Sequence, residues 1–168
     1  MRTCLFLIAV GLCTGCADRD ARVVSLFGGE QTLQALATPK SVAAYRIDPE
    51  SYGQAAANPG KVLVGYPITS PAAQLSADQM KQLATILADP GTYSFEIAKG
   101  CEFRPGVALV AQAGKQEVIV LLCFGCSELA IYVEGTKVGH EDMDNAHAQF
   151  AKLAKQLFPN DKEIQGLK

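Results

Sequence analysis

Three cysteines are the residues of this chain best able to do chemistry. Cys101 lies in Cys101-Glu-Phe-Arg-Pro-Gly106, and Cys123 and Cys126 close the run Val120-Leu-Leu-Cys-Phe-Gly-Cys126. Sulfurs grouped this way can cross-link, cycle between thiol and disulfide, or hold a soft metal. Zinc takes four ligands in a tetrahedron. Cys101, Cys123 and Cys126 would supply three, and with no second C-x-x-C the fourth would have to be His140 or His147. A thioredoxin-like pair needs a helix N-terminus to stabilise its thiolate, whereas Cys123 and Cys126 fall between two predicted strands. In an oxidising compartment a structural disulfide is the default. That reading expects no cofactor; zinc binding or thiol redox chemistry at the three cysteines is the alternative.

Other reactive types are sparse. Of the two histidines, His147 falls on the apolar face of a predicted helix, as a hydrogen-bonded residue at the core edge would. His140 reads as solvated in a charged loop. Asp142 and Asp144 suit the first turn of that helix, because the helix dipole favours acids there; an EF-hand loop would also need a Gly and a terminal Glu that are absent. No G-x-S-x-G, P-loop, G-x-G-x-x-G or H-E-x-x-H motif occurs. Nothing in the sequence sets a nucleophile beside a base.

The elements that must position the cysteines follow from periodicity. A weak helix over Glu30–Ala37 stops at Pro39. Alternation predicts strands over 41–47 and 61–68, the latter with Val62, Val64 and Tyr66 on one face. A helix over Ala77–Ala88 has Ser76 as its N-cap, Gln79 completing a capping box, and Leu75 stapled onto Met80. Met80, Leu83, Ala84 and Leu87 form its buried stripe, and Asp89-Pro90-Gly91 ends it. Three strands in a meander come next, over 103–112, 117–124 and 128–133. The second is apolar on both faces and so belongs in the middle of a sheet covered on both sides. A last helix spans 142–158, with Met143, His147, Phe150, Ala154 and Leu157 on one face; the final eight residues read as loose. The fold class is α+β: an antiparallel sheet of about five strands, its C-terminal part a three-stranded meander, with two main helices packed on it.

Register then selects a bridge. If the hairpin pairs Gln112 with Glu117, Cys126 faces Phe103 with Cys101 its diagonal neighbour. Cys123 then faces Gly106, five residues from Cys101, well over the ~7 Å limit on Cα separation. The pair Cys101–Cys126 is therefore expected to bond, leaving Cys123 free and buried.

Residues Leu75 to Tyr132 resemble a family of uncharacterised bacterial lipoproteins and secreted proteins. Members share a Leu-Ser-x-x-Gln helix start, a C-x-F-x-P segment and a strand ending in Leu-Leu-Cys-Phe-x-Cys. The resemblance implies that Cys101, Cys123 and Cys126 form one cluster, and it implies no activity.

The N-terminus says where those sulfurs reside. Arg2 precedes the apolar stretch Leu5–Val10, and Leu12-Cys13-Thr14-Gly15-Cys16 follows. This resembles the lipobox of bacterial lipoproteins, although Cys13 stands where Leu is usual. The apolar stretch is shorter than the ~20 residues of a membrane span, so residues 1–15 read as a cleaved signal peptide and Cys16 as the lipidated residue, carrying palmitate-like chains. Plain secretion, with cleavage after Ala17, is the alternative. Residues 16–27 read as a lipid-anchored tether and 28–168 as a single domain. Ala rather than Asp at position 17 implies sorting to the outer membrane, facing the periplasm.

Removing 15 of 168 residues leaves 153, enough for one domain with a real core. The formal charge moves from −2 to −3 through loss of Arg2. Weak acidity without a basic stripe argues against nucleic acid and anionic headgroups as partners. The expected partners are the membrane, through Cys16, and an envelope protein. The expected role is a non-catalytic binding or accessory domain.

Overall fold

The computed structural model describes residues 19–53, 61–97 and 99–168. The expected signal peptide with Cys4 and Cys13, and Cys16, the residue expected to be lipidated, lie outside the described residues, as does most of the small-residue loop 53–60. The fold is α+β. Its strands are β1 (Ser41–Arg46), β2 (Val62–Leu63), β3 (Tyr66–Pro67), β4 (Ala73–Gln74), β5 (Val107–Ala113), β6 (Gln116–Cys123), β7 (Glu128–Val133) and β8 (Thr136–Asp142). The helices are α1 (Ala21–Leu26), α2 (Glu30–Ala37), α3 (Ala77–Ala88), α4 (His147–Leu157) and α5 (Lys162–Gln165). Six strands make one antiparallel sheet in the order β4-β1-β5-β6-β7-β8, and β2–β3 form a separate hairpin. Among the described residues no helix is long and apolar enough to cross a membrane.

Strand β6 is interior and buried from Val118 to Cys123. Val118, Val120 and Leu122 point into the core under the helices, and Ile119 and Leu121 point into a smaller cluster on the other face. The hairpin register pairs Gln112 with Glu117. Helix α3 carries its capping box, with Ser76 Oγ accepting from Gln79 N–H and Gln79 Oε1 accepting from Ser76 N–H. Its buried stripe is Leu83, Ile86 and Leu87, rotated slightly from the reading that placed Ala84 there. Thr92 and Tyr93 donate their hydroxyls to the carbonyls of Ile86 and Leu87, closing the end of α3.

Several expectations need correction. Residues Ala21–Leu26 of the supposed tether are helical, and Val23, Leu26 and Phe27 are core, so the packed domain starts before residue 28. Residues 61–68 are not one strand but a hairpin, turning at Val64-Gly65 with φ +42° and +93°. The meander has a fourth strand, β8, entered through the like turn Glu134-Gly135, φ +49° and +76°. Helix α4 starts at His147 rather than at residue 142. The C-terminal residues also dock: Asp161 caps α5 and Ile164 is buried.

Candidate functional site at the disulfide end of the sheet

The β5–β6 ladder stops at Val107↔Leu122. Beyond it residues 99–106 run as an irregular strap past the turn Phe124–Ser127 at the head of β7. Cys101 and Cys126 are disulfide-bonded there, Cα to Cα 5.9 Å, within the ordinary span for such bonds. Cys123 is buried and free, and its Sγ accepts from Arg104 N–H at 3.4 Å. Phe103 is not in a strand, because β5 begins only at Val107. The two bonded sulfurs therefore meet between a strap and a turn rather than diagonally across a ladder.

Lys99 ties the strap down a second time. Its Nζ lies 2.5 Å from Asp142 Oδ2 and 2.8 Å from Asp144 Oδ1, and donates to the carbonyl of Cys126 at 2.9 Å. Burial works against its positive charge, but the hydrogen bonds to Asp142 and Asp144 outweigh that and hold its pKa above the usual lysine value. Asp144 is pushed below the usual aspartate value, first by Lys99 and also by a hydrogen bond from Ser127. Asp142, expected in the first turn of the last helix, is instead the buried last residue of β8, directly opposite Glu128. A buried carboxylate needs a paired cation, and Lys99 is that cation.

His140 is exposed, as expected, but stands in a strand and not in a loop. It lies in β8, its ring edge-on to Phe103 at 4.7 Å between centroids, with Nε2 3.4 Å from Glu128 Oε2. That carboxylate oxygen is buried and has no hydrogen-bond partner among the described residues. His147 is half-buried at the head of α4, with Nδ1 2.8 Å from Ser127 Oγ and its ring edge-on to Phe124. The Ser127–His147 contact links the turn to α4. Ser127 adopts φ +54°, a left-handed conformation uncommon for serine.

Beside the strap opens a cleft of about 730 Å³, floored by Ile47, Gly106, Phe124 and Ile164 and rimmed by Asp48, Glu50, Arg104 and His147. Arg46 braces its wall. Its guanidinium donates to Asp161 Oδ2 at 2.7 Å, to Gly106 O at 2.6 Å and to Glu163, joining β1, the strap and α5. Asp161 feels burial raising its pKa, but the Ile164 N–H and Arg46 more than offset this and leave it below the usual value. Arg104 and Glu50 pair across the exposed mouth. Among the described residues no group of three His, Cys, Asp or Glu side chains is placed to hold a metal.

The structure thus brings together Cys101, Cys123, Cys126 and both histidines at one end of the sheet. Sequence reasoning missed Lys99, Ser127, Glu128, Arg104 and Glu50. For Glu128 the available signal was β8 itself, since a strand ending at Asp142 would have set that residue and His140 opposite Glu128 and Ala130. No protein-family model, curated protein or solved structure matches the chain.

Proposed function

We propose that this is a lipid-anchored envelope protein, acylated at Cys16 and held at the outer membrane facing the periplasm, whose domain is a non-catalytic binding or accessory module. The observation that carries the binding role is the cleft. Its rim carries both charge signs over an apolar floor of Ile47, Phe124 and Ile164, which suits a short peptide segment of an envelope partner. Arg46 is saturated by Asp161, Glu163 and Gly106 and serves as framework. Arg104 and Glu50 pair only at the solvent-exposed mouth, where a surface ion pair is worth about 1 kcal/mol or less, so a ligand can replace either partner. The resemblance to lipoproteins and the disulfide both suit an exported protein.

The test places a photo-cross-linking amino acid at Phe124 in the full chain, expressed in cells. A defined adduct should form, should disappear with Arg104→Glu, and should be absent when the probe stands at exposed Lys115 on the far turn. The same products from both positions would sink the proposal.

A second reading, thiol redox or metal chemistry at Cys101, Cys123 and Cys126, draws on the exposure of Cys101 while Cys126 and Cys123 are buried. An incoming thiolate could reach Cys101 Sγ and release Cys126. Thiol titration and metal analysis of the native protein separate the two. A single thiol, reacting only after denaturation, supports the binding module; bound zinc or readily reduced sulfurs support the alternative.

A further inference from the structure

We infer that the domain rests directly on the bilayer, with the β8 corner of the sheet, which carries the start of α1 and the Ser94–Ile97 turn, toward the lipid and the cleft beside β1, four strands away in the sheet order, left open. The inference rests on the Cys16 anchor proposed above. Asp20 caps α1 by accepting from Arg22 N–H, and Val23 is 1% exposed, so the chain is committed to the packed domain from Asp20 onward. Only Ala17, Asp18 and Arg19 separate Cys16 from that cap. At about 3.3–3.6 Å per residue the four steps reach about 14 Å. The polar headgroup zone of one leaflet takes about half of that. Arg19 is itself paired with Glu30 of α2 at 2.6 Å, which shortens the free length further. No clearance remains for a freely swinging domain.

The surface that meets the lipid is set by where α1 begins. The Arg22 guanidinium lies 4.7 Å from the centre of the Phe95 ring, and Ser94 N–H donates to the carbonyl of Asp142, the last residue of β8. Further along α1, Leu26 lies over Gly139, where a Cβ would have no room. The first turn of α1 is therefore beside the Asp142 end of β8. At this end Ile97 is 54% exposed, on a turn closed by its N–H donating to Ser94 O at 3.0 Å. The cations around it are matched: Arg19 with Glu30, Arg22 with Asp20, Lys99 with Asp142 and Asp144. Glu96 on the turn is exposed and Lys99 is shared by two carboxylates, so this surface is weakly acidic; on an uncharged bilayer, apolar contact by Ile97 and Phe95 in the interfacial zone seats it, with little dependence on salt. The opposite end of the sheet, at Gly114-Lys115, is a strand length away, about 23 Å, and faces water.

The chain contains no tryptophan, so one introduced indole reports alone. The acylated full-length protein is placed in phosphatidylcholine vesicles containing lipid spin-labelled near the headgroup, with Ile97→Trp and Lys115→Trp compared and acylation of Cys16 read by mass. Emission from Ile97→Trp should be quenched several-fold more than that from Lys115→Trp, in low and high salt alike. Equal quenching in acylated protein overturns the docking geometry and leaves the anchor standing. Ile97→Trp shielded from aqueous iodide but untouched by the lipid label would mean a protein partner covers the turn, and also overturns it. Absence of acyl chains in the mass of Cys16 removes the anchor, and the docking with it.

Discussion

The two faces of the sheet are held in different ways. Beneath the helices, Phe27, Leu33, Leu83, Leu87, Phe150, Leu153 and Ile164 join the inward residues of β1 and β5–β7 in one continuous core. On the other face, among the described residues, only Ile47, Tyr66, Ala108, Ile119, Leu121 and Ala130 are buried together, under the β2–β3 hairpin and Phe103. Burial there is still enough to push the Tyr66 hydroxyl up to about 12. Where apolar area is plentiful it suffices alone, because each buried large side chain contributes about 1.5–3 kcal/mol. Where it is thin, the strap is secured by the Cys101–Cys126 bond and by Lys99 on Asp142. The cleft opens at the same end of the sheet, where Ile47 from the thin face meets Phe124 and Ile164 from the helix side.

That contrast can be broken most forcefully from the helix side. Phe150 is fully buried, and Phe150→Ala should cost about 3–5 kcal/mol in urea unfolding, by lost transfer and by the cavity left behind. Removing the bridge with Cys101→Ser and Cys126→Ser together should cost about 3 kcal/mol, as the chain-entropy model gives for a loop closed across a separation of 25 residues. The loss should come with early hydrogen exchange across 99–106 and little change in α3. If protection fell equally on both faces, the strap would not be a separately held unit.

Next in size is Lys99→Met, which leaves Asp142 buried without its cation. Lys99 is partly exposed, so the cost should be about 2 kcal/mol, between a surface pair and a fully buried one. It should be smaller in Lys99→Met with Asp142→Asn, and a double-mutant cycle measures the difference. The smallest effect is one of pH. The native pKa of Asp161 is lowered, so its contribution is complete above the unfolded value near 3.8 and is lost as the pH falls through the lowered native value. Undocking of α5 from Arg46, followed by the Ile164 methyl resonances, should begin only below about pH 4 and should be absent in Asp161→Asn.

Much of the helix-side face is legible residue by residue. Ser76 and Gln79 define the start of α3, and the unbroken run Val118–Cys123 marks a strand covered on both sides. The second face is less so. Both missed hairpins turn on a residue that normally avoids left-handed backbone, Val64 before Gly65 and Glu134 before Gly135, where Asn or Asp would have been the readable signal. Cross-strand pairing tolerates that local strain, and only the assembled sheet shows it. With β8 unseen, Asp142 passes for a helix-start residue and His140 for a loop residue, and the ion pair with Lys99 has no reason to exist.

What the sequence alone determined about this protein is everything decided between near neighbours: the α3 cap, the β5–β6 register, and the α+β class that alternation and helical stripes imply. Tertiary structure alone decided which charges are buried together. Arg46 meets Asp161 across a sequence separation of 115 residues. No local pattern encodes such a meeting, because a side chain's electrostatic partner depends on which segments the packed sheet brings to the same end.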